Sequence, residues 1–187
     1  MKPLPMNGPD MPRKPLVLGF AGPSGSGKTT LLAAVLPLLT AHGLSVSCIK
    51  HTHHAVDMDT PGKDTWIFRE GGAREVILAS EARFVLQRAY TPESPELDLD
   101  ALVGRLDAVD VVLVEGFRPH GHPKILVYRP SLGKPLPAPE RLTSLLAVAT
   151  DQPDHPDLAD IGVPLLPLNE PAAVAAFAVE RLGMERA

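Results

Sequence analysis

The string Gly22-Pro23-Ser24-Gly25-Ser26-Gly27-Lys28-Thr29 constrains this chain more than any other feature. It is a complete G-x-x-x-x-G-K-[ST] pattern, entered by an apolar strand candidate at 15–21 and left by an amphipathic stretch at 28–41. Glycines let consecutive backbone N–H groups turn inward around a phosphate without Cβ clashes. The helix that follows adds its positive N-terminal end. Lys28 would address the β and γ phosphates, and the Thr29 hydroxyl suits Mg²⁺. Ligands of such a loop gather at the carboxyl ends of parallel strands.

The rest of the chain alternates in the same manner. Strands are predicted at 44–50, 109–115, 124–129, 145–150 and 163–168, and helices at 63–71, 97–107 and 171–182. Residues 74–79 and 82–88 read as a hairpin turning at Ser80-Glu81. The run at 109–115 is nearly continuous in apolar residues, so it belongs in the middle of a sheet covered on both faces. Leu31, Leu32, Val35, Leu38 and Leu39 share a helical face, Pro37 should kink that helix or force a local adjustment, and Gly43 is placed to stop it. The class is therefore α/β, a mostly parallel sheet with helices on both faces. Residues 1–14 read as a flexible Pro-rich leader, and 15–187 as a single domain with a Pro-rich loop at 130–140.

Composition narrows the partners. A formal charge of −4 and 4% aromatic residues offer neither a basic field nor a stacking platform, so nucleic acid is not expected. The uncharged stretch between Lys28 and Lys50 is broken by Pro37, His42, Gly43 and several hydroxyl residues, so no membrane span is expected. A single cysteine, Cys48, excludes an internal disulfide framework and fits a reducing, cytoplasmic compartment.

A phosphate loop with Mg²⁺ needs a carboxylate nearby. Asp110 and Glu115 bracket the central strand, roughly 16 Å apart, so they cannot serve one site. Glu115 stands at the carboxyl end and is the expected metal or water partner, and Asp110 an edge or capping acid. The loop after the second strand then gathers Lys50, His51, His53, His54, Asp57, Asp59 and Lys63. With Cys48 the three histidines could supply zinc ligands, but the spacing matches no closed structural site, and a strand cysteine can point into the core. An anion-binding loop suits a phosphorylated substrate better.

The phosphate loop, the Lys50-His51-Thr52-His53-His54 run with its D-x-D and PGKDT, and the segments FREGGA, VLVEGF and PKILVYR resemble the MobB family, the GTP-binding proteins of molybdopterin-guanine dinucleotide biosynthesis. The resemblance runs from about Leu16 to Thr150. KHTHH…PGKD and VEGF…PK are much more specific than the phosphate loop alone, and residues 130–140 lie outside the match. It implies a P-loop NTPase fold, a homodimer, GTP with Mg²⁺, and a helper role for the guanylyltransferase that attaches GMP to molybdopterin. Carried over, Gly22, Ser24, Gly25, Ser26, Gly27, Lys28, Thr29 and Thr30 would hold the GTP phosphates. Thr29 with Glu115 would manage Mg²⁺, with Lys28 and Glu115 the catalytic pair. Lys50, His51, His53, His54, Asp57, Asp59 and Lys63 would face nucleotide, molybdopterin or partner. Arg69 and Arg118 are further anion candidates or ordinary surface arginines.

Guanine selectivity has no N-K-x-D string behind it. Asp151, at the end of a strand, is the nearest substitute, and a turn or N-cap aspartate is the other reading. Three functions follow: an adaptor with at most slow GTP hydrolysis, a small-molecule kinase using ATP, and a nickel- or zinc-delivery GTPase whose metal port is the histidine loop. The kinase needs an arginine-bearing lid, and residues 130–140 offer only Lys134 and Glu140 as charges.

Overall fold

The computed structural model describes residues 14–52, 56–93, 95–117, 120–138 and 142–183. In chain order these form β1 (Leu16–Ala21), α1 (Lys28–Ala41), β2 (Val46–Lys50), α2 (Asp64–Glu70), β3 (Glu75–Ala79), β4 (Phe84–Arg88), α3 (Leu99–Val103), β5 (Val111–Glu115), β6 (Lys124–Tyr128), β7 (Leu145–Thr150), β8 (Leu165–Pro167) and α4 (Pro171–Arg181). They gather into two compact units, one of them Thr52–Asp98 and the other the rest of the chain.

The larger unit is built on a six-stranded sheet in the order β2-β5-β1-β6-β7-β8. Each neighbouring pair in it runs parallel. As its apolar run requires, β5 lies inside the sheet between β1 and β2, with Val111 to Val114 fully buried. Period-two alternation divides the side chains between faces. Leu18, Phe20, Ile125 and Val127 pack with Leu31, Val35 and Leu39 of α1 and with Val174 and Ala178 of α4. On the other face Leu99 and Val103 of α3 meet Val112 and Val114. Helices therefore cover both faces.

Element boundaries moved where glycine and proline act. Helix α1 runs through Pro37 as one element, because Pro37 and Ala33 are both exposed. The ring, and the carbonyl four residues earlier that loses its partner, then face water. Gly43, at φ 79, ends it as expected. The helix predicted at 97–107 shortens to Leu99–Val103, directly before Gly104. The last strand retains Pro167 because β8 is an edge strand. Strand β2 is the opposite edge, and Cys48 on it is exposed rather than turned into the core.

Two polar clusters fix the sheet. Ser45 donates to Asp110 Oδ2 from its N–H at 2.8 Å and its hydroxyl at 2.6 Å, and the Asp110 N–H donates back to Ser45 Oγ at 2.9 Å. Asp110 thus ties β2 to β5 at their amino ends, the capping role expected of it. At the start of β6, Lys124 is fully buried and donates to the carbonyls of His120 and Thr143 at 2.7 and 2.8 Å. His122, nearly as buried, packs so closely on β1 that a Cβ at Gly19 would lie 2.2 Å from its Nε2. Its Nδ1 lies 3.1 Å from that of His120.

The smaller unit holds α2 and the antiparallel hairpin of β3 and β4, registered from Glu75↔Arg88 to Ala79↔Phe84. The connection takes four residues, 80–83, because the Ser80 hydroxyl accepts the N–H groups of Ala82 and Arg83.

Candidate functional site

Strand β1 delivers the chain into the phosphate loop. A Cβ at Gly22, where φ is 143, would lie 2.3 Å from the Val127 carbonyl oxygen, so only glycine lets the loop lie this close to β6. Gly27 at φ 96 begins α1 with no side-chain cap and no acidic residue in the first turn. A 14-residue helix that starts without a side-chain cap presents its positive end to an anion. Lys28 Nζ rests on the Pro23 carbonyl oxygen at 2.7 Å. Ser24, Gly25, Thr29 and Thr30 are exposed on the loop and helix start. Ser26 is fully buried, and its Oγ lacks a hydrogen-bond partner.

Beside the loop, the Thr29 hydroxyl donates to Glu115 Oε2 at 2.8 Å. Lys50 Nζ lies 3.5 Å from the same oxygen and donates to Thr29 Oγ1 at 3.4 Å. Strand register explains the arrangement, since β2 pairs Lys50 with Glu115 at the carboxyl edge. The glutamate is largely buried at 13% exposure. A hydroxyl and a carboxylate adjacent at this edge fit Mg²⁺, which takes one or two protein oxygens and completes its shell with phosphates and water. Beyond Glu115 the backbone turns left-handed at Gly116 (φ 111) and Phe117 (φ 47). That turn brings the Phe117 ring to 4.4 Å from the His51 ring, centroid to centroid. A Cβ at Gly116 would lie 2.9 Å from His51 Cβ.

On the other flank, Arg129 follows β6 and donates from Nη1 to Asp151 Oδ2 at the end of β7. Its Nη2 lies 3.8 Å from where a Cβ of Gly27 would stand. Asp151 Oδ1 is buried without a hydrogen-bond partner. Asp151 also lines a cleft of about 310 Å³ with Thr150, Leu165, Pro167, Asn169 and Glu170, at the carboxyl ends of β7 and β8. Lys134 Nζ donates to the Ser24 carbonyl oxygen at 2.8 Å. Neither Arg129 nor Lys134 is marked in the sequence as a neighbour of the phosphate loop. The motif PKILVYR contained Arg129, but nothing local marks a strand-end arginine as facing a glycine loop about a hundred residues earlier.

Within the smaller unit, Arg69 forms a fork with Asp57, Nη1 to Oδ1 at 2.9 Å and Nη2 to Oδ2 at 2.8 Å. Those bonds, with the Asp59 N–H donating to Asp57 Oδ1, hold the Asp57 carboxyl down at about 2. Asp59 Oδ1 accepts from Thr65 Oγ1 at 2.9 Å and Gln87 Nε2 at 2.8 Å. These carboxylates organise the loop, α2 and β4 around Arg69. Lys63 is exposed at the start of α2. His53, His54 and Arg118 lie outside the described residues.

The profile of MobB, described as molybdopterin guanine dinucleotide synthesis protein B, matches residues 17–151. The chain belongs to the MobB family. It is 42% identical over 169 residues to the molybdopterin-guanine dinucleotide biosynthesis adapter protein of Escherichia coli K12, covering 88% of this chain and 91% of that one. The Haemophilus influenzae protein of the same name is 42% identical over 161 residues, covering 86% of each chain. A crystal structure of molybdopterin-guanine biosynthesis protein B superposes with a TM-score of 0.67 at 30% identity, over 90% of this chain and 99% of that one. The Bacillus subtilis MobB crystal structure gives a TM-score of 0.67 at 24% identity, over 90% and 97%, and speaks to the fold. The P-loop NTPase-like α/β fold is thus shared with the family.

Proposed function

We propose that this chain binds GTP with Mg²⁺ at the phosphate loop and acts as the adaptor that assists the guanylyltransferase attaching GMP to molybdopterin. The observation that carries this reading is the cluster of Thr29, Glu115 and Lys50 beside an uncapped helix start. The names of the relatives at 42% identity support the adaptor role. On this reading the loop amides and Lys28 bind the phosphates, and Thr29 and Glu115 hold Mg²⁺. The metal would neutralise charge on the β and γ oxygens. Lys50, 3.5 Å from Glu115 Oε2, helps to orient that carboxylate. Asp151 lines the cleft at the carboxyl ends of β7 and β8 and has one carboxylate oxygen, Oδ1, without a hydrogen-bond partner, which supports that residue as acceptor for the guanine N1 and N2 donors. Hydrolysis is slow at most, and the work is done through the partner.

The surface of the smaller unit supports a homodimer. Ile77, Leu78 and Phe84 are 63, 58 and 70% exposed on its hairpin. Molybdopterin is a second ligand in reach of this reading, and a cytoplasmic setting suits it. Among the described residues no helix is long and apolar enough to cross a membrane.

Calorimetric titration with GTP and with ATP, each with Mg²⁺, tests the nucleotide. A preference for GTP that Lys28→Ala abolishes is the expected result, with pull-down of the guanylyltransferase as the next observation. A preference for ATP would instead favour a kinase.

A further inference from the structure

Two ammonium groups rest on consecutive carbonyls of the phosphate loop: Lys28 on Pro23 at 2.7 Å and Lys134 on Ser24 at 2.8 Å. A neutral carbonyl is a weak partner for an exposed lysine, and a phosphate oxygen is a much stronger one. Lys28 addresses the β and γ phosphates in loops of this kind. An ammonium resting one carbonyl further along therefore stands at the same end of the loop.

The position of Lys134 is built into the chain. After β6 a 3-10 turn, Pro130–Leu132, ends at Gly133 in the left-handed region, φ 61, which turns the chain back towards the loop. Before the turn, Arg129 is tied to Asp151. After Lys134, Leu136 packs against the buried cluster of Leu126, Tyr128, Val148 and Leu158. Pro135 and Pro137 on either side of Leu136 restrict the backbone further. An anchored backbone on both sides of an exposed lysine lowers the ordering cost of using it.

We infer that Lys134 is a phosphate-binding residue supplied in cis, which exchanges the Ser24 carbonyl for the terminal phosphate and so gives the site its preference for a nucleoside triphosphate over a diphosphate. It stands on the β6 side of the loop, with Lys50 and Glu115 on the β5 side. The inference rests on the reading of the loop as a GTP site.

Titration of the full-length protein with Mg-GTP and Mg-GDP separates the two. With Lys134→Ala, GTP affinity should fall on the order of 10-fold while GDP affinity changes by less than about 3-fold. Lys134→Arg should restore most of the loss, and the apo melting temperature should not move, since the side chain is exposed. Unchanged GTP affinity in Lys134→Ala, or equal losses for GTP and GDP, would overturn the inference and leave the GTP site standing. Wild-type protein that binds no GTP, or binding indifferent to Lys28→Ala, would remove the GTP site and the inference with it.

Discussion

Glu115 and Asp110 are chemically almost the same residue five positions apart on one strand, and their surroundings give them opposite work. Asp110 accepts from Ser45 and locks two strands together. Glu115, at the edge where the loop begins, accepts from Thr29 beside Lys50. That division is legible in the sequence, because extended chain keeps the two carboxylates apart and parallel sheets bind at one edge. Lys134 was not legible, because its partner lies 110 residues away and the contact leaves no periodicity to read. Glu115→Gln keeps the shape of the side chain and removes its charge. The variant should bind GTP without Mg²⁺ about as the wild type does, and lose the gain in affinity that Mg²⁺ gives. Equal Mg²⁺ dependence in both proteins would take Glu115 out of the metal role.

Elements with one dominant signal were read closely from sequence. Strand β5 is an uninterrupted apolar run, and α1 has a glycine at each end. Short elements were read less well, since α3 and β8 are trimmed by Gly104 and by prolines rather than by loss of apolar pattern. The start of β6 hides its chemistry completely, because a sequence does not show that Lys124 and His122 are buried against β1. Burial first, and then the charges of Lys124 and His120, push the His122 imidazole down to about 4. The folded protein therefore keeps His122 neutral where the unfolded chain takes up a proton. Its contribution is constant above the unfolded value near 6.5 and is lost as pH falls from there towards 4. His122→Asn should flatten the melting temperature against pH across that window. Parallel curves for wild type and variant would place the acid sensitivity elsewhere.

At the scale of the molecule, the described chain gathers into two compact units, the smaller of which falls in sequence between β2 and α3. The sequence does not announce this, because the hairpin strands look like core strands. They are apolar on both faces, yet only Val76 among them is buried. Surface of that kind is tolerated when another surface covers it. The protein should therefore sediment as a dimer at micromolar concentration, and Phe84→Glu should shift it towards monomer without lowering GTP affinity. A wild-type monomer at that concentration would leave the hairpin to another partner. The exposed edge position of Cys48 has a practical side as well. It is the sole thiol of the chain, two residues before Lys50, so a maleimide dye will label one defined point per copy. With no engineered mutation, donor and acceptor dyes on two copies would convert self-association into an optical ruler. A single environment-sensitive dye there would report arrival at the neighbouring lysine as a change in brightness.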